Sequence, residues 1–372
     1  MNILYDHEIF SYQQYGGIAR YYCEMIQRLN SHKDSHCRIG AKFSNTEYLK
    51  QGVWRYPFPN SIRAKQLFFR INSLYFKFLL KTEKYDLVHF TFYPDPKWKK
   101  LIRKPIVITV HDMIPELFPS QFPNAGKWIS NKKFWCHNAD MILTNSNSTS
   151  NDLLKVYDHV DPKRVHRVYL GSSPAEKAEK SCDLPETFLL YVGGRQSYKN
   201  FNNLLQAFRE LTKKHKQLHL ICTGGGSFSS EETKMLEHYG LTDHVQQRSC
   251  SESALAGIYQ SSSALVYPSL YEGFGLPLLE AFQARIPIAI SNASCFPEIA
   301  GNAAVYFDPH NVSEIKNAME TVLFDQNKRA ELIAAGTKRL AHFSWEKTAE
   351  ETLFFYHQLI ESMKNKKSNA DF

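Results

Sequence analysis

Two glutamates that flank a glycine-rich turn are the residues of this sequence best suited to chemistry. Glu272 and Glu280 bound the segment EGFGLPLLE, which follows the apolar run SSSALVYPSL. The apolar run predicts a buried strand, and the apolar spacing after the proline predicts a helix whose first turn contains Glu280. Because a helix N-terminus presents unpaired, partly positive N–H groups, phosphate oxygens are favoured beside Phe274, Gly275 and Leu276. Each glutamate alone could equally be a surface acid, but together they predict carboxylates that hold hydroxyls beside a diphosphate.

A second loop supplies two cations. In the segment FLLYVGGRQSYKNFNNLLQAFREL, Arg195 and Lys199 lie between a predicted strand and a predicted amphipathic helix. In an open parallel sheet such loops lie at the carboxyl ends of the strands, where phosphate ligands bind. Arg195 can donate to two phosphate oxygens at once, and Lys199 supplies a compact charge. Paired cations are often ordinary surface residues, but the acidic segment downstream favours a shared anion site.

The N-terminal half offers further candidates at loops. Gly16 and Gly17 precede a predicted helix in QYGGIARYYCEMIQRL, and glycine lets the backbone approach a phosphate or a sugar closely. His111 and Asp112 end the β-branched run in KPIVITVHDMIPELFP, and we expect side chains at such strand ends to face a ligand crevice. A lone histidine at a strand end is as often structural as functional.

Composition predicts a large soluble enzyme. The 372 residues, 43% of them apolar, are enough for two domains with separate cores. The absence of a long apolar run and of a basic, cleavable leader predicts a cytoplasmic protein. Seven cysteines without a C-x-x-C pair indicate reduced thiols. The histidines lack metal-ligand spacing and no Asp-x-Asp triplet occurs, so we expect no metal and no cofactor beyond the substrate.

Positive charge is concentrated in the first half of the chain. Residues 1–172 hold 25 Lys and Arg against 14 Asp and Glu, within an overall net charge of +8. Residues 63–85 predict one helix with a core-facing stripe of Leu67, Phe68, Ile71, Leu74, Tyr75, Phe78 and Leu79. The opposite face is predicted to be Arg63, Phe69, Arg70, Phe76, Lys77, Leu80 and Lys81. Outward cations and aromatics indicate contact with a lipid headgroup layer, although burial of both faces is the alternative. No nucleic-acid-binding signature occurs, so we expect no nucleic acid partner.

The segments VGGRQSYKNFNNLLQAF and EGFGLPLLEAF, in this order, resemble the donor site of the family 4 retaining glycosyltransferases. The resemblance implies the α/β GT-B fold, in which two Rossmann-like, doubly wound domains face each other across a cleft. It also implies that the last helix crosses back to the N-terminal domain. The predicted divisions are an acceptor-binding domain at 1–172, a nucleotide-sugar-binding domain at 187–344, and a crossover helix with a tail at 345–372. Strands of the second domain are predicted near 188–192, 218–222, 264–268 and 286–290.

The same resemblance implies roles for individual residues. Arg195 and Lys199 would neutralise the donor diphosphate, Glu280 would bind the ribose, and Glu272 would bind the donor sugar. The remaining implied donor contacts are Gly16, Gly17, Arg248, Ser249, Phe274, Gly275 and Leu276. His111 would meet the donor sugar near its reacting carbon, and Asp112 would contact the acceptor. Glu272, His111, Arg195 and Lys199 would thus form the catalytic set.

Three further segments, ILYDHEIF, QYGGIARYYCEMI and HDMIPELFP, resemble bacterial mannosyltransferases of O-antigen and surface polysaccharide synthesis. This likeness implies transfer of mannose from GDP-mannose to a polyprenyl-diphosphate-linked saccharide. An α-1,3 linkage to the acceptor is an extension of the same likeness. The enzyme would then lie peripherally on the cytoplasmic face of the inner membrane, alongside other polysaccharide-assembly transferases. Three alternatives remain open, namely a UDP-sugar-dependent transferase of the same family, a nucleotide-sugar epimerase, and a non-catalytic scaffold.

Overall fold

Short runs of aliphatic and β-branched residues form the strands of two separate parallel sheets. The structure, a computed structural model, describes residues 1–49, 53–54, 61–172, 184–195 and 197–368. Its contacts divide the chain into two units, one comprising Met1–Gly171 with Trp345–Phe372 and the other Ser172–Ser344. Most of the predicted linker, residues 173–183, lies outside the described residues. Each unit contains one six-stranded sheet.

The sheet of the first unit is parallel throughout and has the order β2-β1-β3-β4-β5-β6. Its strands are β1 (Asn2–Tyr5), β2 (His36–Ile39), β3 (Leu87–Phe90), β4 (Ile106–Val110), β5 (Met141–Thr144) and β6 (Val165–Arg167). The helices are α1 (Glu8–Tyr12), α2 (Gly17–Leu29), α3 (Ile62–Thr82), α4 (Ile114–Leu117), α5 (Gly126–Asn138) and α6 (Asn147–Val156). Strands β3, β4 and β5 are buried along their whole length, as central strands covered by helices on both faces should be.

The second unit repeats this plan with the strand order β12-β11-β10-β7-β8-β9. Its strands are β7 (Phe188–Val192), β8 (His219–Thr223), β9 (Val245–Arg248), β10 (Ala264–Tyr267), β11 (Ile288–Ser291) and β12 (Val305–Phe307). The helices are α7 (Phe201–Lys214), α8 (Ser230–Tyr239), α9 (Glu252–Ser261), α10 (Leu276–Ala284), α11 (Phe296–Ala300), α12 (Val312–Phe324) and α13 (Gln326–Leu340). The four strands predicted here are confirmed to within two residues at their ends.

The last helix, α14 (Trp345–Ser368), belongs to the first unit. Its Trp345 ring is buried 6.3 Å from the ring of Tyr21. The Tyr356 hydroxyl lies 2.9 Å from that of Tyr5 and 2.5 Å from Nδ1 of His89. The predicted return of the last helix to the N-terminal domain is therefore confirmed. The tail predicted to be disordered at 364–372 instead continues α14 as far as Ser368, and residues 369–372 lie outside the described residues.

The predicted orientation of α3 is wrong, because the helix is rotated about its axis. Phe76, predicted to face outward, is buried beside Phe90 and Trp98. Three residues of the predicted core stripe are exposed instead, namely Leu67, Leu74 and Phe78. Arg63, Arg70, Lys77 and Lys81 are exposed as predicted, whereas Phe69 and Leu80 are half-buried.

Asn72 explains this rotation of α3. Its side-chain oxygen accepts hydrogen bonds from the backbone N–H groups of Lys42 and Phe43, and its nitrogen donates to the carbonyl of Phe43 and to Ser11 Oγ. A buried amide with every hydrogen bond made is stable inside a protein. Asn72 therefore lies at the centre of the buried face, which a pattern of apolar residues alone does not reveal. Among the described helices, none is long and apolar enough to cross a membrane.

Candidate active site

Lys199 and Glu272 form a direct ion pair between two adjacent strand ends. Lys199 ends the 3₁₀ turn Ser197–Lys199 that follows β7, and Glu272 follows β10. Since β7 and β10 are hydrogen-bonded neighbours, their carboxyl ends lie side by side. The Lys199 Nζ to Glu272 Oε1 distance is 2.6 Å, with only 12% and 10% of the two side chains exposed. A pair so little exposed adds little to fold stability, but it fixes both charges at the predicted site.

The surroundings of this pair hold the carboxylate in place. The backbone N–H of Glu272 donates to Ser294 Oγ over 3.0 Å, and Ser294 has a left-handed φ of 48°. Lys199 Nζ lies 5.2 Å from the Tyr198 ring centre and 5.7 Å from that of Tyr267. Burial and then the negative charge of Glu272 raise the pKa of Tyr267 well above its usual value. Ser294 has no distinguishing sequence signal, and sequence reasoning missed it.

Arg195 lies in a different environment from the one predicted. Its side chain is 2% exposed, and Nε donates to Glu232 Oε1 over 2.7 Å. One terminal nitrogen donates to the carbonyl of Gly224 at 2.9 Å, and the other donates to those of Gly226 at 3.0 Å and Ser227 at 3.1 Å. The hydrogen bonds of the guanidinium thus stabilise the turn that follows β8. It would have to exchange some of these acceptors in order to contact a phosphate.

Glu232, the partner of Arg195, was missed by sequence reasoning although a signal exists. The residues from Ser229 to Glu232 form a capping box at the start of α8, with Ser229 Oγ accepting from the Glu232 N–H. Glu232 Oε2 in turn accepts from the Ser229 N–H over 2.7 Å. A serine followed three residues later by glutamate is the sequence signature of this motif. The Arg195 contact lowers the pKa of Glu232, against the opposing effect of burial, so its carboxylate stays charged.

The turn before α10 requires glycine at Gly275. Its φ is 89°, and a Cβ atom there would lie 3.1 Å from Phe296 Cε1 and 3.2 Å from Leu278 Cδ1. Gly275, the N-cap residue of α10, has no side chain, and the backbone N–H of Leu276, a predicted anion contact, lies in the first turn of the helix. The side chain of Phe274 is buried beside the Phe343 ring, 5.8 Å away between centres. Phe274 can therefore offer a ligand only its backbone.

The remaining predicted donor residues of the second unit lie at two places. Glu280 is not in the first turn of α10 as predicted, because the helix begins at Leu276 and Glu280 is its fifth residue. It is half-buried there, and its Oε2 accepts from the Tyr259 hydroxyl over 2.8 Å. Arg248 and Ser249 lie at the end of β9, which is separated from β7 by β8. Arg248 donates to Gln246 Oε1 over 3.0 Å. The structure thus brings Lys199 and Glu272 together, whereas Arg248 and Ser249 lie at the end of a strand that is not adjacent to β7 or β10.

In the first unit, His111 follows β4 and is buried against tyrosine rings. The His111 ring centre lies 5.2 Å from that of Tyr21 and 5.9 Å from that of Tyr22, both edge-on. Its Nε2 is buried without a hydrogen-bond partner among the described residues. Burial, together with the charge of Lys132, lowers the pKa of His111 to about 3. The imidazole is therefore neutral at physiological pH. Asp112 Oδ1 accepts from the Ile114 N–H over 3.0 Å and so shapes the loop.

A buried ion pair beneath this loop was not predicted. Lys132 of α5 donates to Glu116 Oε2 over 2.8 Å and to the carbonyl of Asp112 over 3.0 Å. Glu116 also accepts from the Tyr157 hydroxyl over 2.5 Å. Because both ends of the pair are hydrogen-bonded, the buried charges are compensated, and the loop that contains His111 is held from below. A lysine in an otherwise unremarkable helix gives no sequence sign of such a role.

Gly16 and Gly17 form the turn before α2. Gly16 has a φ of 156°, which L side chains rarely adopt, and a Cβ atom there would lie 2.5 Å from Gln13 Oε1, at the end of a flexible side chain. Gln13 Oε1 accepts from the Ala19 N–H over 3.1 Å and so occupies part of the helix N-terminus. This contact gives Gly16 a structural reason of its own, and sequence reasoning missed Gln13.

Among the residues described, no group of three or more His, Cys, Asp or Glu side chains could hold a metal ion. The described cysteines are free thiols, and all but Cys250 are buried.

Two family models match the chain. The model described as Glycosyltransferase Family 4 matches residues 15–176, and the model described as Glycosyl transferases group 1 matches residues 172–339. Among curated proteins, O-antigen chain mannosyltransferase B of Escherichia coli is 28% identical over 59% of this chain and 61% of its own length. The serotype-specific mannosyltransferase WbdA of Escherichia coli is 28% identical over 69% of this chain but only 34% of its own length. The alignments thus span less than two thirds of these relatives.

Solved structures show the same fold over nearly the whole chain. Sucrose-phosphate synthase from Thermosynechococcus elongatus has a TM-score of 0.74 at 18% identity, covering 97% of this chain and 99% of that one. Anabaena HepE, solved with UDP and glucose, has a TM-score of 0.71 at 16% identity, covering 96% of this chain and all of that one. With the family models matching residues 15–339 between them, this chain belongs to the family 4 glycosyltransferases and has the GT-B fold.

Proposed function

We propose that this glycosyltransferase moves a mannosyl residue from GDP-mannose to a lipid-linked saccharide acceptor, retaining the anomeric configuration. The observation that bears most weight is the Lys199–Glu272 pair, held at adjacent strand ends in the unit where the donor motif lies. The choice of mannose is supported by the relatives, two of which are named as mannosyltransferases of Escherichia coli. The names of these relatives also support synthesis of O-antigen or another surface polysaccharide.

The Lys199–Glu272 ion pair provides a cation for the donor diphosphate and a carboxylate for the donor sugar. Without a donor, Lys199 and Glu272 neutralise each other over 2.6 Å. When the donor binds, the ammonium would turn to the diphosphate and the carboxylate would accept hydrogen bonds from hydroxyls of the sugar. The N-terminus of α10 would supply a backbone N–H to the same phosphates. Glu280, which accepts from the Tyr259 hydroxyl, would bind the nucleotide ribose.

The proposed mechanism follows from the charges that develop in the transition state. As the bond between sugar C1 and the phosphate oxygen breaks, negative charge grows on the diphosphate and positive charge on the sugar ring. Lys199 stabilises the first of these charges more strongly in the transition state than in the ground state, which is what lowers the barrier. The acceptor hydroxyl would attack C1 from the face of the leaving group, and its proton would pass to the departing phosphate oxygen. His111, a neutral imidazole, is assigned to the donor sugar by family resemblance.

A lipid-linked acceptor is supported by the exposed face of α3. On that face the apolar Leu67, Leu74 and Phe78 lie beside exposed cations, and Leu74 is 68% exposed. Arg70, Lys77 and Lys81 provide the cationic border. A helix with this division rests in a headgroup layer, with cations near anionic lipid and apolar side chains below them. We propose that this face, and not the one predicted from sequence, meets the cytoplasmic surface of the inner membrane.

A UDP-sugar donor is the second candidate, since the structurally similar HepE was solved with UDP and glucose. Calorimetric titration of the purified chain with GDP-mannose, GDP, UDP-GlcNAc and UDP separates the two. Selective binding of the guanine pair is the expected result, and selective binding of the uracil pair would replace the donor. Analysis of products after incubation with the bound donor and a lipid-linked GlcNAc acceptor then tests transfer. Formation of an isomerised nucleotide sugar, or no product at all, would favour an epimerase or a scaffold instead.

A further inference from the structure

Two carboxyl groups at one edge of the first sheet have no role in the site described above. Asp6 follows β1 and Thr91 follows β3, the strand next to it. Asp6 Oδ1 accepts from the Thr91 N–H at 2.7 Å and from its hydroxyl at 2.5 Å. Asp6 Oδ2 is also buried, but it has no hydrogen-bond partner among the described residues. The carboxyl is thus fixed by one oxygen while its other oxygen stays available.

Glu8, two residues further on, is a second carboxyl at this edge. It is only 7% exposed and receives no side-chain hydrogen bond among the described residues, but its oxygens, unlike Asp6 Oδ2, remain accessible. Burial, with the nearby charges of Asp6 and Asp95, raises the pKa of Glu8 well above its usual value, and Lys127 offsets this only in part. A buried polar atom without a partner, as Asp6 Oδ2 is, costs stability. This atom beside an accessible carboxyl therefore indicates a polar ligand that completes its hydrogen bond.

Aromatic rings adjoin these two acids. The ring of Tyr12 lies 5.8 Å from that of Phe92, and Phe92 stacks on Trp128 at 5.3 Å with an angle of 25°. Glu8 and Tyr12 are four residues apart on α1 and so lie on one face of that helix, and Phe92 directly follows Thr91, the partner of Asp6. Trp128 Nε1 is buried and has no acceptor among the described residues. The cluster therefore combines flat apolar faces, two open acceptors and one open donor.

The chemistry of this cluster narrows the ligand to a neutral, hydroxyl-rich molecule. A phosphate or diphosphate would be repelled by two adjacent carboxyl groups. A metal ion would need a third ligand, and the described residues offer no group of three that could hold one. A sugar ring has hydroxyls that can donate to Asp6 and Glu8 and accept from Trp128, and its C–H face can lie on aromatic rings. Few polar groups among aromatic side chains are typical of small-molecule sites.

We propose that Asp6, Glu8, Tyr12, Phe92 and Trp128 form the binding site for a neutral hexose residue of the saccharide acceptor. This inference rests on the proposed transferase function and adds to it the residues that recognise the acceptor. Asp6 and Glu8 would act by positioning the acceptor through its hydroxyls.

Saturation-transfer NMR on the full chain tests the site with two probes, methyl α-D-mannopyranoside and methyl N-acetyl-β-D-glucosaminide. We expect Glu8→Gln and Trp128→Ala to weaken binding of at least one probe by about tenfold or more, because each loses a buried hydrogen bond. Asp6→Asn keeps an acceptor for Thr91. It serves as the second variant of an acidic residue if Glu8→Gln folds poorly. Glu83→Gln, an exposed acid of the same unit, should bind like the wild type.

Calorimetry with GDP-mannose on the same variants separates this site from the donor site. Unchanged donor affinity in Glu8→Gln and Trp128→Ala, with weakened glycoside binding, supports the proposal. Wild-type glycoside binding in all the acidic and tryptophan variants would overturn it, and so would the absence of binding of either probe to the wild type. Failure of the wild type to bind any nucleotide sugar would instead contradict the proposed function, whatever the glycosides do.

Discussion

At the scale of single residues, the two predicted diphosphate cations are not equivalent. The Lys199 ammonium contacts one carboxylate, that of Glu272, at the carboxyl ends of β7 and β10. It can exchange this partner for a phosphate of the ligand. The Arg195 side chain is buried and donates to Glu232 and to four backbone carbonyls of the turn from Gly224 to Ser227. The sequence predicts both as phosphate ligands because they share a loop. Their partners differ because the turn from Gly224 to Ser227 folds against Arg195, whereas Lys199 pairs with Glu272. The residues around Arg195 in the sequence give no sign of this contact.

Replacing Lys199 should impair chemistry more than folding. We expect Lys199→Ala to lower turnover by about 10²-fold or more, as for the loss of one transition-state charge contact. Lys213→Ala is the matched control, because Lys213 is also paired with a glutamate, 2.7 Å away, but on the exposed surface of α7. Steady-state turnover of wild type and both variants gives the comparison. Equal turnover in Lys199→Ala and Lys213→Ala would remove Lys199 from the reaction.

Replacing Arg195 should impair both stability and turnover. Arg195→Ala leaves Glu232 and the carbonyls of the glycine turn without their donor, so we expect the free energy of unfolding to fall by about 3 kcal/mol. Turnover should also fall by about 10²-fold if the guanidinium reaches the diphosphate. Urea unfolding followed by circular dichroism measures the first effect, with the exposed Arg209→Ala as control. An unfolding free energy like that of the wild type would contradict the inference that Arg195 stabilises the turn after β8.

At the scale of elements, patterns that depend on a strand or helix as a whole were predictable. Continuous apolar runs such as FLLYV identify buried parallel strands, and four strands of the second unit were placed to within two residues. The face of α3 was predicted wrongly because an apolar pattern takes no account of Asn72, whose hydrogen bonds hold it on the buried face. Asp6 lies in a segment used for the family resemblance, but its buried, unpartnered Oδ2 becomes visible only when β1 and β3 are paired.

The exposed face of α3 should bind anionic membranes. Reversal of Lys77 and Lys81 to Glu should weaken binding to vesicles of phosphatidylglycerol and phosphatidylcholine by about tenfold or more, since each cation near such a surface contributes about 1 kcal/mol. Leu74→Ser with Phe78→Ser should weaken it through loss of the apolar contact. Reversal of Lys155 and Lys163, exposed residues of the same unit outside α3, is the control. Co-sedimentation measures binding, and equal losses in test and control variants would show a diffuse charge effect without a docking face.

At the scale of the whole chain, the first unit contains several titratable groups whose burial links stability to pH. Burial lowers the pKa of His7, His89 and His111 to about 3 from 6.5. These groups bind protons only after unfolding, so their contribution to stability is lost as the pH falls below 6.5. Asp6 and Glu8 act in the opposite direction, because burial raises the pKa of Asp6 to about 6 and that of Glu8 well above 4.5. The folded chain takes up protons at these two carboxyls before the unfolded chain does.

These opposing effects predict the sign of the pH dependence between about pH 4.5 and 6. The lowered pKa values of His7, His89, His111 and His166 outnumber the raised carboxyl pKa values, so stability should fall as the pH is lowered. His7→Gln removes one unfolded-state proton and should flatten this slope. Glu8→Gln removes a folded-state proton and should steepen it. Urea unfolding at pH 6.0, 5.25 and 4.5 measures the slopes, in which the constant cost of each substitution cancels. A wild-type chain that gains stability over this range, or two variants with the same slope, would show that these buried groups do not set its response to pH.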